Sequence, residues 1–211
     1  MRKISTIFFI TFFTSLSLMA QKKKFHVKLD YGAKTGMNFS HLLLRDLQDN
    51  VDHDYNSKWR TGFVLGMFVK VPVYKKFSIQ PEFLYSSMGG DYYTPTSGPL
   101  GYQHVRARYN YFSIPLMAKY ELTHCINIVA GPQFDFLISG TERNSSGTFK
   151  VSDQLKDFDG LVTGGLEFRA SKCINFMVRY MRGFNDVENR ANGVRFYQEA
   201  VQATVGIKFN H

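Results

Sequence analysis

Apolar and polar residues alternate along most of this chain. Phe25, Val27, Leu29, Tyr31, Ala33, Met37 and Phe39 fall on one side, with His26, Lys28, Asp30, Gly32, Lys34, Asn38 and Ser40 on the other. A period of two sustained over that length predicts a long β-strand. Trp59 to Val73 repeats it, with Thr61, Phe63, Leu65, Met67 and Val69 facing one way and Arg60, Gly62, Gly66 and Lys70 the other. Six more runs follow, at Phe77–Ser87, Asn110–Leu122, Ile126–Ile138, Asp157–Arg169, Ile174–Tyr180 and Val201–Phe209, making eight.

The connections alternate too. Polar turns near Lys75-Lys76, Thr123-His124 and Ser171-Lys172 are short, whereas His41–Lys58, Met88–Arg106 and Ser139–Gln154 read as long polar loops, with Asn185–Val194 intermediate. An even number of strands, with short turns at one end and long loops at the other, is the pattern of an outer-membrane barrel. The expected fold is all-β: an eight-stranded antiparallel up-and-down transmembrane β-barrel after a cleaved signal peptide. Three turns lead into similar starts, Phe77-Ser78-Ile79, Cys125-Ile126-Asn127 and Cys173-Ile174-Asn175, so the hairpin is the repeating unit.

Chemistry assigns the faces. The apolar side carries no charge through the middle of any strand, and its aromatic residues gather near strand ends. Phe25, Phe77, Tyr120, Phe168, Phe176 and Phe209 lie toward the turns, and Phe39, Trp59, Tyr85, Phe136 and Phe158 toward the loops. Two such girdles suit the two interfaces of a bilayer. A soluble carrier would put this side inward. A charge at outward Leu65 should therefore cost far more than a serine at inward Gly66.

The first residues change the picture by adding a compartment. Arg2 and Lys3 precede an apolar stretch, Ile4–Leu18, and Met19-Ala20-Gln21 suits signal-peptide cleavage. Residues 1–20 are expected to be the signal and 21–211 the barrel domain. Past the signal, the longest apolar run is Phe63–Val73, broken by Lys70, too short for a spanning helix. The formal charge of +9 falls to 24 basic against 17 acidic residues once Arg2 and Lys3 leave. In a secreted chain that basic balance meets outer-membrane lipid and lipopolysaccharide before any nucleic acid, although a basic surface with no specific partner is the simpler reading, and a monomer is expected.

Several segments resemble the PorT-like outer-membrane β-barrel family, the small "porin family" barrels. They are Tyr31-Gly32-Ala33-Lys34-Thr35-Gly36-Met37-Asn38, Ile79-Gln80-Pro81-Glu82-Phe83-Leu84-Tyr85-Ser86, Tyr111–Tyr120, Ala130-Gly131-Pro132 and Val205-Gly206-Ile207-Lys208-Phe209. The resemblance implies an eight-stranded barrel in a Gram-negative outer membrane and no reaction, although the name-giving member serves a protein-secretion machine.

Strand phase points Glu82, Arg179, Glu167, Asp135 and Lys119 into the lumen. An eight-stranded barrel is just wide enough for side chains to fill it, and buried charges must pair. Glu82 and Arg179, on opposite walls, are expected to meet and plug it, with Glu167 or Asp135 assisting. No catalytic residue, cofactor site or metal site is expected. The histidines 26, 41, 53, 104, 124 and 211 show no metal or triad spacing. A rim lipid-modifying enzyme would have to use His41 with Ser40, or His104, and the acidic stretch Asp49, Asp52, His53 and Asp54 lacks the glycine-ordered frame of a calcium loop. Cys125 and Cys173 head strands two steps apart, about 10 Å, beyond a disulfide's comfortable span. The main expectation is a non-enzymatic barrel whose long loops carry recognition; a narrow or secretion-associated channel and a lipid-modifying enzyme are the alternatives.

Overall fold

The computed structural model describes residues 29–46, 52–53, 58–95, 102–184 and 194–209. The expected signal peptide, the chain before Leu29, Asp49, Asp54 and His211 lie outside them. The described strands are β1 (Asp30–Asp46), β2 (Asp52–His53), β3 (Arg60–Tyr74), β4 (Phe77–Pro95), β5 (Tyr102–Glu121), β6 (Ile126–Asn144), β7 (Gly147–Lys150), β8 (Phe158–Arg169), β9 (Ile174–Gly183) and β10 (Val194–Lys208). Eight form the wall in the order β10-β9-β8-β6-β5-β4-β3-β1, all antiparallel. Pairing of β10 with β1, from Gly32↔Lys208 to Asp46↔Val194, closes the ring. The two short strands are appendages: β2 pairs with β1 and β7 with β6. Closure leaves the wall without the unpaired backbone edge that lipid could not satisfy.

The outer face is apolar and open. Leu65, Met67, Leu116, Leu166 and Val178 are all exposed, and Phe77, Tyr120, Phe168, Phe39, Trp59 and Phe158 occupy the girdle positions. Tyr31 meets Phe209 edge-on at 6.2 Å, and Phe63 stacks on Tyr85 at 5.3 Å.

Three expectations need correction. First, Met88–Arg106 and Ser139–Gln154 are not simply loops. β4, β5 and β6 run for 19, 20 and 19 residues, about twice the nine to eleven that a tilted strand needs to cross a bilayer. Past the loop-end girdle the alternation inverts: Val105, Ala107 and Tyr109 are buried while Arg106 and Arg108 are exposed. Outside lipid the outer face no longer has to be apolar, so a search for apolar-out strands ends too soon.

Second, the lumen holds more than the charges that strand phase points inward. Val64, Phe68, Leu84, Met117, Val129 and Met177 are buried inside the wall, and a larger apolar cluster fills the loop end. Third, Gly66 has no room for a side chain. A Cβ there would sit 2.0 Å from the Phe83 carbonyl oxygen and 2.8 Å from Leu84 Cδ2, so serine at this position displaces β4 rather than facing an empty lumen.

Candidate functional site

Strand β4 reads the lumen from turn end to loop end through Ser78, Gln80, Glu82, Leu84, Ser86, Met88 and Tyr92, all buried. Each level meets partners from other strands, and the chemistry changes with height.

At the turn end lies a cavity of about 440 Å³, open on that side. Its lining includes Asp30, Lys70, Lys119, Glu121, Glu167, Arg169 and Lys208. Its ceiling is an ion network. Lys119 Nζ donates to both oxygens of Glu167 at 2.6 and 2.7 Å, and to Gln80 Oε1 at 2.9 Å. Asn127 Nδ2 adds a bond to Glu167 at 2.9 Å. Gln80 carries the network upward, donating from Nε2 to Glu82 Oε1 at 2.7 Å.

Glu82 then faces two cations. Arg179 Nη1 reaches its Oε2 at 3.0 Å, and Lys34 Nζ bonds its Oε1; all three side chains are fully buried. Sequence phase gives Glu82 and Arg179 a common lumen. It does not show that Lys34 from β1 completes a triad. Of the expected assistants, Glu167 serves Lys119 instead, and Asp135 takes its hydrogen bonds from Gln133 at 2.9 and 3.2 Å. The β6–β8 register sets Asp135 opposite buried Asp159.

A neutral belt follows. Asn38 Nδ2 donates to Ser86 Oγ at 2.8 Å and to the Ser87 carbonyl at 3.0 Å, while Gln202 Nε2 donates to Asn38 Oδ1 at 2.7 Å. Above it sits the apolar cap. Leu42, Met88, Tyr92, Tyr109, Leu161 and Met181 converge there, and Val151 and Leu155 tuck in from the segment after β7. The turn of 3₁₀ helix at Ser152–Gln154 holds that segment, with Val151 N bonded to the Gly140 carbonyl at 3.0 Å and Ser152 Oγ accepting from Gly140 N at 3.0 Å. Gly140 leaves space for the lid: a Cβ would lie 2.4 Å from Leu155 Cδ1. The register slip at Asn110/Tyr111, which leaves an extra residue in β6, turns Glu142 inward, where it accepts from Tyr92 and Tyr109 hydroxyls at 3.0 and 3.4 Å.

Such a lumen holds a vestibule and two successive seals, one ionic and one apolar. The family model of the outer membrane protein β-barrel domain matches residues 19–189. The chain belongs to that family. It is an outer-membrane β-barrel protein. No curated protein matches it by sequence. Among solved structures, neisserial surface protein A (NspA) aligns over 86% of this chain and 97% of its own, with a TM-score of 0.51 at 9% identity. Ail, the attachment invasion locus protein of Yersinia pestis, in complex with the heparin analogue sucrose octasulfate, covers 86% and 99% with a TM-score of 0.47 at 11% identity. OprG from Pseudomonas aeruginosa covers 88% and 98% at 0.44 and 11%. At these identities the likeness to NspA establishes a shared fold.

The rim-enzyme candidates are dispersed. Ser40 and His41 point to opposite faces of β1. Ser40 Oγ bonds Gly89 inside the wall at 2.8 and 3.0 Å, and His41 packs on Trp59 at 4.4 Å with its Nε2 2.8 Å from Glu199. His104 lies against Tyr93 and Asp91, and His124 is exposed at a turn. Asp52 and His53 form β2 beside Arg45 and Leu44. Cys125 and Cys173 are free thiols. Among the described residues, no three His, Cys, Asp or Glu side chains converge on one point.

Proposed function

We propose that this protein is a non-enzymatic, monomeric recognition barrel of the PorT-like group, acting through the platform its long hairpins raise beyond the membrane. One observation carries this reading. β4 and β5 continue for several residues past the girdle and pack Met88, Tyr92 and Tyr109 into a core of their own. A barrel that only anchored itself would need neither the added length nor the buried area that holds it upright. Burial of such large side chains contributes about 1.5–3 kcal/mol each, enough to pre-order a binding surface and reduce the entropy cost of recognition.

Photo-crosslinkers at Tyr93 and His104, and at Lys75 and His124 on the turns, test this in whole cells. Discrete adducts at the loop end, lost when residues 94–103 are replaced by a Gly-Ser linker in a folded barrel, are expected. Adducts confined to the turn end would overturn the reading in favour of a periplasmic, secretion-associated partner at the vestibule.

A further inference from the structure

Just beyond the loop-end girdle, the outer flank of the β3–β6 wall carries a band of cations. Lys58 stands opposite Asp91, Arg106 and Arg108 lie four to six residues past lipid-facing Phe112, and Arg143 stands on β6, while Arg60, set opposite Ser40 on the inward phase of β3, brings its head group to the same carboxylate. Among the described residues one carboxylate serves them. Asp91 Oδ1 is 3.5 Å from Arg60 Nη1, and its Oδ2 is 3.6 Å from Arg106 Nε and 3.4 Å from His104 Nε2. A single negative charge cannot balance the band.

The pairing adds a second, independent observation. The β5–β6 register places Arg106 directly opposite Arg143, and both are exposed. Like charges directly opposed across two strands are destabilising, because their Cβ atoms stand only about 4.5–5.5 Å apart. Asp91 answers only the Arg106 side of this pair, at 3.6 Å, and Glu142, next to Arg143 along β6, is turned inward to Tyr92 and Tyr109. An anion seated between the guanidinium groups would convert repulsion into charge-assisted hydrogen bonds.

We propose that this band is a docking site for the phosphate groups of the outer leaflet's own anionic glycolipid, lipid A. The inference rests on the outer-membrane placement and is separate from loop recognition. Position favours a membrane lipid over a soluble polyanion. The arginines project sideways from the wall, and the apolar girdle residues Phe63, Phe112 and Phe136 lie directly below, where acyl chains would pack. Planar guanidinium groups match phosphate oxygens in a way lysine does not, and the band is mainly arginine.

The test measures binding by the purified full-length barrel in neutral detergent, with bisphosphorylated lipid A, dephosphorylated lipid A and inositol hexakisphosphate as separate probes. Bisphosphorylated lipid A should bind and raise the unfolding temperature; dephosphorylated lipid A should bind at least about tenfold more weakly, the scale of one lost charged hydrogen bond. R106Q/R143Q and R108Q should each lose most of that difference, whereas K75Q/K76Q on the distant turn should retain it. Equal binding of the two lipids, or full retention in R106Q/R143Q, would overturn the proposal. If inositol hexakisphosphate protects as well as lipid A, the band takes soluble polyanions and the lipid assignment fails. Loop adducts in the cross-linking experiment are unaffected by any of these outcomes.

Discussion

Glu82 answers two cations at once, and that unequal sharing sets what each substitution should do. Removing Arg179 leaves Glu82 held by Lys34 and Gln80. Removing the carboxylate strands both cations in a fully buried layer. Breaking one partner of a buried pair typically costs about 3–5 kcal/mol, so Glu82→Gln should lie at or above that range and Arg179→Met below it. The pair considered alone would predict that Glu82→Gln with Arg179→Met recovers stability. With Lys34 present, that double variant leaves an unpaired ammonium, and only Lys34→Met added as a third change should restore it. Urea titration of folding into lipid vesicles checks the order; Glu82→Gln no worse than Arg179→Met would dismiss the triad. Period-two phase is enough to put all three side chains in the lumen. Which of them touch depends on the stagger of strands around the ring, and no local pattern carries that. Gly66 shows the same limit: facing inward does not mean having room, because the clash is with a neighbouring strand's carbonyl.

At the scale of elements, strand starts and girdle positions were readable wherever lipid enforced an apolar outer face. The runs beginning at Phe77, Ile126 and Ile174 start in the structure at those residues. The upper ends were not readable, because β4–β6 keep their pairing after their faces exchange chemistry. The segment Ser139–Gln154, polar enough to look like a loop, contains the lid residue Val151 and is followed by Leu155. Two isolated apolar residues are too little for a periodicity argument, yet they close the mouth. The hairpin extension also has a mechanical consequence. Glu142 ties Tyr92 of β4 and Tyr109 of β5 to β6, so Glu142→Ala should loosen the platform while leaving the membrane-embedded wall intact. Expected is a several-fold faster cleavage by protease added to whole cells, with an unchanged heat-modifiable shift on gels, since local opening precedes global unfolding. Unchanged cleavage would mean that apolar packing alone holds the hairpins.

For the whole molecule, the arrangement of seals decides whether solute can pass. The vestibule opens at the turn end and reaches Lys119, Glu167 and Gln80. Above it the Lys34–Glu82–Arg179 layer blocks the bore with side chains from three strands, and the apolar cap blocks it again toward the loops. The two barriers stand in series and differ in kind. An ion crossing the first would have to displace buried salt bridges; crossing the second would require shedding its water among Leu42, Tyr109 and Leu155. Barriers in series make a specific, non-additive prediction for planar-bilayer recordings. The unmodified protein should show no discrete conductance steps. Lys34→Ala/Glu82→Ala/Arg179→Ala should remain silent, because the cap still excludes water. Leu155→Ser combined with shortening of residues 145–156 should also remain silent, because the triad still fills the bore. Only the two sets together should open resolvable steps, in molecules that still show the heat-modifiable shift of a folded barrel. Conductance in the unmodified protein, or in either set alone, would mean that one of these layers opens on its own, and a narrow channel would then replace the sealed recognition barrel as the account of this lumen.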